Sequence, residues 1–196
     1  LLSMQSGYTA DLAKPMLDAA DPVTGFFSVE LKNPPGSKFM YNNGASHLLS
    51  VIISKVTGMS EEDYLKPRLF APLGFGEYSW EKDKSGNSLG GWGLYLTSED
   101  FAKFAVFYLN HGKWDGKQLL DADFCRMATV RQTASVPDNP AYGFQFWIGP
   151  GQNYRAAGML GQFAVVMPEA DAVLIVFAGT KIDRQILTPV KIWRSI

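Results

Sequence analysis

The chain has 196 residues, 46% of them hydrophobic and 19% charged, with a formal net charge of −1. That is enough material for one domain with a substantial core, and the balance gives no electrostatic footprint for nucleic acid or an anionic membrane surface. The lone Cys125 excludes an internal disulfide framework and a cysteine-based zinc cage, and no apolar run reaches the roughly 18–20 residues that span a bilayer.

Residues 7–37 carry Gly7, Pro15, Pro22, Gly25, Pro34, Pro35 and Gly36, which predicts loop with one short helix around 9–19. A polar Tyr41-Asn42-Asn43 then stands directly before a helix whose apolar residues fall at 45, 48, 49, 52, 53 and 56. Asn42 or Asn43 can cap that helix, and Gly58 ends it. If one asparagine suffices as cap, the other amide is left to face a cleft. A second helix starts at Ser60 with Glu61 and Glu62 in its first turn and stops at Phe70-Ala71-Pro72-Leu73-Gly74. Residues 76–95 read as irregular. A third helix begins at Thr97 or Ser98, with an apolar stripe at 101, 104, 105, 108 and 109. A turn at Lys113–Lys117 leads to a helix over Leu119–Val130.

The period then changes. YGFQFWIG (142–149), GQFAVVMP (161–168) and AVLIVFAG (172–179) predict antiparallel strands, with Glu169-Ala170-Asp171 as a hairpin turn and a final helix over 183–196. The fold class is therefore α+β: a mainly helical part to about residue 135, then strands and a terminal helix to residue 196.

Few residues carry metal or phosphate chemistry. His47 and His111 lie on different helices outside any metal motif, and His47 is expected to pack or meet solvent. Gly90-Gly91-Trp92-Gly93 lacks the preceding strand and the Lys-Ser/Thr of a phosphate loop, so it reads as a loop turning tightly against a helix start. No cofactor and no metal are expected. The small residues Ala156-Ala157-Gly158 leave strand N–H groups approachable, which suits an oxyanion hole or an added β-strand.

In order along the chain, LLSMQSG (1–7), PPGSKFMYNNGASHLLSVIISKVTGMS (34–60), YLKPRLFAPLGF (64–75), GGWGLYLTSEDFAKFAVFYLNHGKWDGKQLL (90–120), YGFQFW (142–147) and AAGMLGQFAVVMPEADAVLIVF (156–177) resemble segments of the serine β-lactamase family in its broad sense. That family spans class C β-lactamases, D-alanyl-D-alanine carboxypeptidase-like penicillin-binding proteins, and related esterases and amide hydrolases. The resemblance implies a β-lactamase/transpeptidase-like fold and acyl transfer through a serine intermediate. It makes Tyr41 the general acid/base of a Tyr-x-Asn motif and Asn43 a hydrogen-bond donor to the substrate amide or to the catalytic lysine. A phenol serves in proton transfer only if nearby cations lower its pKa from about 10. Ala156-Ala157-Gly158 stands where the family carries Lys-Thr-Gly or His-x-Gly, so Ala157, Gly158 and the backbone N–H of Met159 become substrate-binding, the last as oxyanion donor.

Two departures from the family follow. The literal Ser-x-x-Lys of this chain, Ser79-Trp80-Glu81-Lys82, comes after Tyr41 and after the Pro-Leu-Gly stop, so it is a coincidence. The nucleophile is therefore expected upstream of Leu1, with these residues an incomplete, truncated domain that is inactive alone. The third motif also lacks its cation, which points from carboxylate-bearing penicillins toward small ester, amide or peptide substrates. Arg155 cannot substitute, because strand alternation sends it to the other face from Ala156. The competing expectation is a non-catalytic binding or sensing module on the same fold. A cell-envelope or secreted location is implied by the resemblance alone, and an exposed sheet edge would favour a homodimer or strand exchange.

Overall fold

The computed structural model describes residues 1–133 and 141–179. The final helix expected over 183–196 lies outside the described residues. The chain divides into two compact units, Leu1–Leu96 and Thr97–Ile196.

The first unit is helical. Two short helices, α1 (Ala13–Asp18) and α2 (Pro22–Phe27), replace the single one expected, because Asp21 accepts from the Thr24 N–H and restarts the chain with Pro22 in the first turn. Both pack on α3 (Asn43–Thr57), around a core of Tyr8, Leu12, Met16, Phe26, Ala45 and Leu48. Gly58, at φ 72°, closes α3 in the left-handed conformation that glycine takes without strain. The helix α4 (Glu61–Leu65) is capped by Ser60 and runs into a π turn over Lys66–Phe70. Two short strands follow, β1 (Ser79–Trp80) and β2 (Leu94–Tyr95), paired antiparallel.

The buried face of α3 differs from its apolar periodicity. Ser46, His47 and Ser50 are buried, whereas Ile52 and Val56 are exposed. The cause is the Gly90-Gly91 segment, which lies against the first turns of the helix. A Cβ on Gly90 would meet the Ser46 carbonyl oxygen at 2.6 Å, and one on Gly91 the Asn43 oxygen at 2.6 Å. Bare backbone fits there; the Gly90 N–H donates to His47 Nδ1, and Ser50 Oγ donates to the Ser88 carbonyl just before it.

In the second unit, Thr97 caps α5 (Ser98–Leu109). A tight hairpin follows, β3 (Lys113–Trp114) and β4 (Lys117–Gln118), joined by Asp115-Gly116, both with positive φ. The helix expected over Leu119–Val130 is shorter, α6 (Ala122–Ala128), because the Asp121 side chain caps it by accepting from the Phe124 N–H. The remaining strands are β5 (Trp147–Ile148), β6 (Tyr154–Gly158), β7 (Gln162–Met167) and β8 (Ala172–Phe177). They form a four-stranded antiparallel sheet in the order β5-β6-β7-β8, on which α5 packs. The apolar stripe of α5 meets Phe146, Tyr154, Ala164 and Val166. An aromatic cluster of Phe104, Tyr108, Phe146 and Tyr154 fills this core, with Tyr108–Phe146 centroids 4.7 Å apart. The turn between β7 and β8 is a 3₁₀ turn over Pro168–Ala170, with Asp171 left-handed.

Candidate active site

The segment before α3 is fixed by two side chains with separate tasks. Asn42 is fully buried. Its Oδ1 accepts from the N–H groups of Ala45 (3.1 Å) and Leu12 (3.0 Å), and its Nδ2 donates to the Ala10 carbonyl (3.2 Å). It is at once the cap of α3 and the tie that holds residues 10–12 across the helix mouth.

Asn43, the first residue of α3, is not a spare amide free to face a cleft. Its Nδ2 donates to Asp11 Oδ2 at 2.6 Å. Asp11 Oδ1 accepts from the N–H groups of Ala13 (3.0 Å) and Gly44 (3.1 Å). Burial works against the charged form of this carboxyl, but the bonds from Ala13, Asn43 and Gly44 outweigh it and hold its pKa below the usual carboxylate range. The two asparagines are thus consumed differently: one inside the structure, one in a polar surface cluster with Asp11.

Tyr41 precedes the cap and keeps 36% of its surface exposed. Its phenol pKa is raised, first by partial burial and then by the negative charge of Asp11. The lowering cation that acid–base work needs is not among the causes acting on it here, so at neutral pH the phenol holds its proton.

His47 packs rather than meeting solvent. It is fully buried one turn along α3, with Nε2 3.2 Å from Asp83 Oδ2, and its Nδ1 accepts from the Gly90 N–H at 3.4 Å. Donation by Gly90 leaves the ring proton on Nε2, facing Asp83. Burial lowers the imidazole pKa against the opposing pull of Asp83. The residue is therefore a neutral clamp between α3, the Asp83 loop and the Gly90-Gly91 segment. Among the described residues, no group of three His, Cys, Asp or Glu could hold a metal ion, and no helix is long and apolar enough to cross a membrane. Ser79 sits on β1 paired with Tyr95, not at a helix start, and Lys82 pairs with Glu62 at 3.2 Å.

The other candidate residues lie in the second unit. Ala156, Ala157 and Gly158 pair with Ala164, Phe163 and Gln162 of β7. On the opposite side, β5 reaches only Tyr154 and Arg155, so among the described residues no strand pairs with the outer edge of Ala156–Gly158. Tyr154 and Ala156 face the α5 core. Arg155, on the other face as alternation requires, places its guanidinium 5.9 Å from the centroids of Trp147 and Phe163. Met159 and Leu160 form a tight turn with Gly161, and Met159 is 75% exposed. The sequence therefore anticipated the small-residue edge. It missed Asp11, whose only local signal is its place before α1; its bonds to Asn43 and Gly44 bridge more than 30 residues.

Comparison with known proteins follows the same lines. The family model Beta-lactamase matches residues 1–185. Among solved structures, a Bacillus anthracis protein assigned as a 6-aminohexanoate-dimer hydrolase is 27% identical, with a TM-score of 0.75 over 85% of this chain and 45% of its own. A penicillin-binding protein from Bacillus halodurans gives 20% identity and a TM-score of 0.72 over 97% of this chain and 70% of its own. A β-lactamase from Mycobacterium bovis gives 19% and 0.71 over 99% and 69%. The chain thus spans less than half the length of the first of these. A comparison with curated proteins gives no match.

Proposed function

The chain belongs to the beta-lactamase family, with the mixed helix and antiparallel-strand fold of its hydrolase relatives, and on that premise we propose that it carries the acid–base part of a serine acyl hydrolase. The nucleophilic serine and its lysine come from a Ser-x-x-Lys segment upstream of Leu1, and the 196 residues alone are inactive. One observation carries this reading: Tyr41, 36% exposed, stands at the mouth of α3 directly before the buried cap Asn42 and two residues before Asn43 of the same Tyr-x-Asn motif.

In the proposed reaction the serine oxygen bonds to the carbonyl carbon of an ester, amide or peptide. Its proton passes to the lysine–Tyr41 pair, and Tyr41 returns a proton to the leaving group as the acyl–serine bond forms. Water then reverses the sequence and frees the acid. The lysine ammonium supplies the cation that lowers the Tyr41 phenol from its raised position. Asn43 bonds the substrate amide or the lysine. Ala157, Gly158 and the Met159 N–H border the substrate, the last donating to the oxyanion alongside the serine N–H. The outer edge of Ala156–Gly158, which no strand covers among the described residues, supports this reading. Ala156 and Ala157 offer a substrate carboxylate no cation, and Arg155 is turned to the aromatic face, so the preferred substrates are neutral around the scissile bond. We extend the reading to self-association: among the described residues no strand pairs with the outer edge of β8, and that edge is the one we propose a second copy takes.

Incubation of the intact protein with an acylating serine-hydrolase probe, followed by mass mapping, tests the proposal. The expected adduct lies on a Ser-x-x-Lys serine preceding Leu1. Absence of an adduct, or its appearance on Ser79, would overturn it, the former leaving a binding module on the same fold.

A further inference from the structure

We propose that Asp11 is a positioning residue that fixes the Asn43 side chain with its amide nitrogen turned to the Asp11 carboxylate and its carbonyl oxygen presented as an acceptor. The inference rests on the acyl-transfer reading for its consequence, but not for its geometry.

An amide's oxygen and nitrogen are distinguished by their partners. An ionised carboxylate can only accept. Asp11 is kept ionised by N–H groups from Ala13 and Gly44 on one oxygen and by its place at the N-terminus of the 15-residue helix α3, where negative charge is favoured. The group of Asn43 that lies 2.6 Å from Asp11 Oδ2 must therefore be the NH₂. One of its two N–H bonds is spent, and Oδ1 points the other way. Asn43 then offers one acceptor and one remaining donor. The acceptor suits a cation such as the ammonium of the proposed lysine, and the donor suits a substrate carbonyl. Had a neutral side chain stood at position 11, either orientation would be open. The same carboxylate adds, after burial, to what keeps the Tyr41 proton in place, so Asp11 acts on both members of the Tyr-x-Asn pair.

The orientation is read directly from the side-chain amide resonances of Asn43 in the intact protein, assigned by their loss in Asn43→Ser. One amide proton should be displaced strongly downfield by the charged acceptor, and the two should move together as Asp11 is protonated at acid pH. In Asp11→Asn the displacement should vanish. For the acylation step, Asp11→Asn should lower kcat about tenfold to a hundredfold, as expected of a misplaced group, while KM changes far less. An unperturbed Asn43 amide in the wild type, or one unchanged by Asp11→Asn, would overturn the proposal. If Asp11→Asn fails to fold, the acid titration of the wild-type amide decides the same question: a displaced proton that moves with Asp11 supports the proposal, and one that stays fixed overturns it. A wild type that shows the perturbed amide but forms no acyl-enzyme would refute the acyl-transfer reading and leave the role of Asp11 in orienting Asn43 intact.

Discussion

The mouth of α3 and the outer edge of β6 expose backbone and side-chain polar groups by opposite means. At the helix mouth, precision comes from added side chains: Asn42 binds three backbone groups and Asp11 binds two more together with Asn43. At the strand edge, access comes from side chains left out, with Ala156, Ala157 and Gly158 running past the end of β5. A site built by addition is sensitive to any truncation. A site built by omission is sensitive to any enlargement. The first should therefore break under alanine, and the second should tolerate it.

The largest stability effect belongs to Asn42. Replacing it with alanine strands the buried Leu12 and Ala45 N–H groups and removes the donor to the Ala10 carbonyl, at a cost on the order of 3 kcal/mol. Chemical denaturation of Asn42→Ala measures it. A loss within about 0.5 kcal/mol, the range of ordinary surface changes, would mean the mouth is not held by this side chain. Gly91→Ala comes next. Its methyl would enter the 2.6 Å approach to the Asn43 oxygen, and overpacking of this kind costs about 1–3 kcal/mol, lowering the thermal midpoint. It should also disturb Tyr41 chemistry, because Asn43 is the residue displaced.

The smallest effect concerns pH. Burial lowers the folded pKa of His47 below its ordinary value, with Asp83 opposing, so the unfolded chain binds the proton more readily. Stability is therefore full above the ordinary imidazole range and is lost as pH falls through that value toward the folded one. Asp11 adds a second loss at lower pH, because its folded pKa is depressed and its stabilisation disappears as pH falls through that depressed value. Denaturation curves of His47→Gln against wild type should show the first component removed and the second retained.

Much of this was legible locally. Thr97 as cap, the apolar stripe of α5 and the β-rich runs of β7 and β8 need only neighbours in sequence to declare themselves, and each appears where its pattern puts it. The resemblance carried by ordered motifs singled out Tyr41, Asn43 and the small residues 156–158 as candidates. Three features escaped. The strand β6 is not among the three runs expected as strands, because its alanines and glycine carry no β-rich pattern and its pairing depends on the β7 sequence. The buried face of α3 is set by Gly90 and Gly91, more than 30 residues beyond its end, so hydrophobic period alone misassigned Ile52 and Val56. Asp11 acquires its meaning from Asn43 and Gly44, contacts that no local pattern encodes.

The central claim concerns the Tyr41 hydroxyl, and its most direct test is the acyl-transfer rate of the intact protein with Tyr41→Phe. The change removes only the hydroxyl of a residue that is 36% exposed and leaves the capping bonds of Asn42 in place. The rate should fall by about two to four orders of magnitude, as for other positioned acid–base groups, with the thermal midpoint nearly unchanged. Equal rates in wild type and variant would contradict the account and remove Tyr41 from the chemistry.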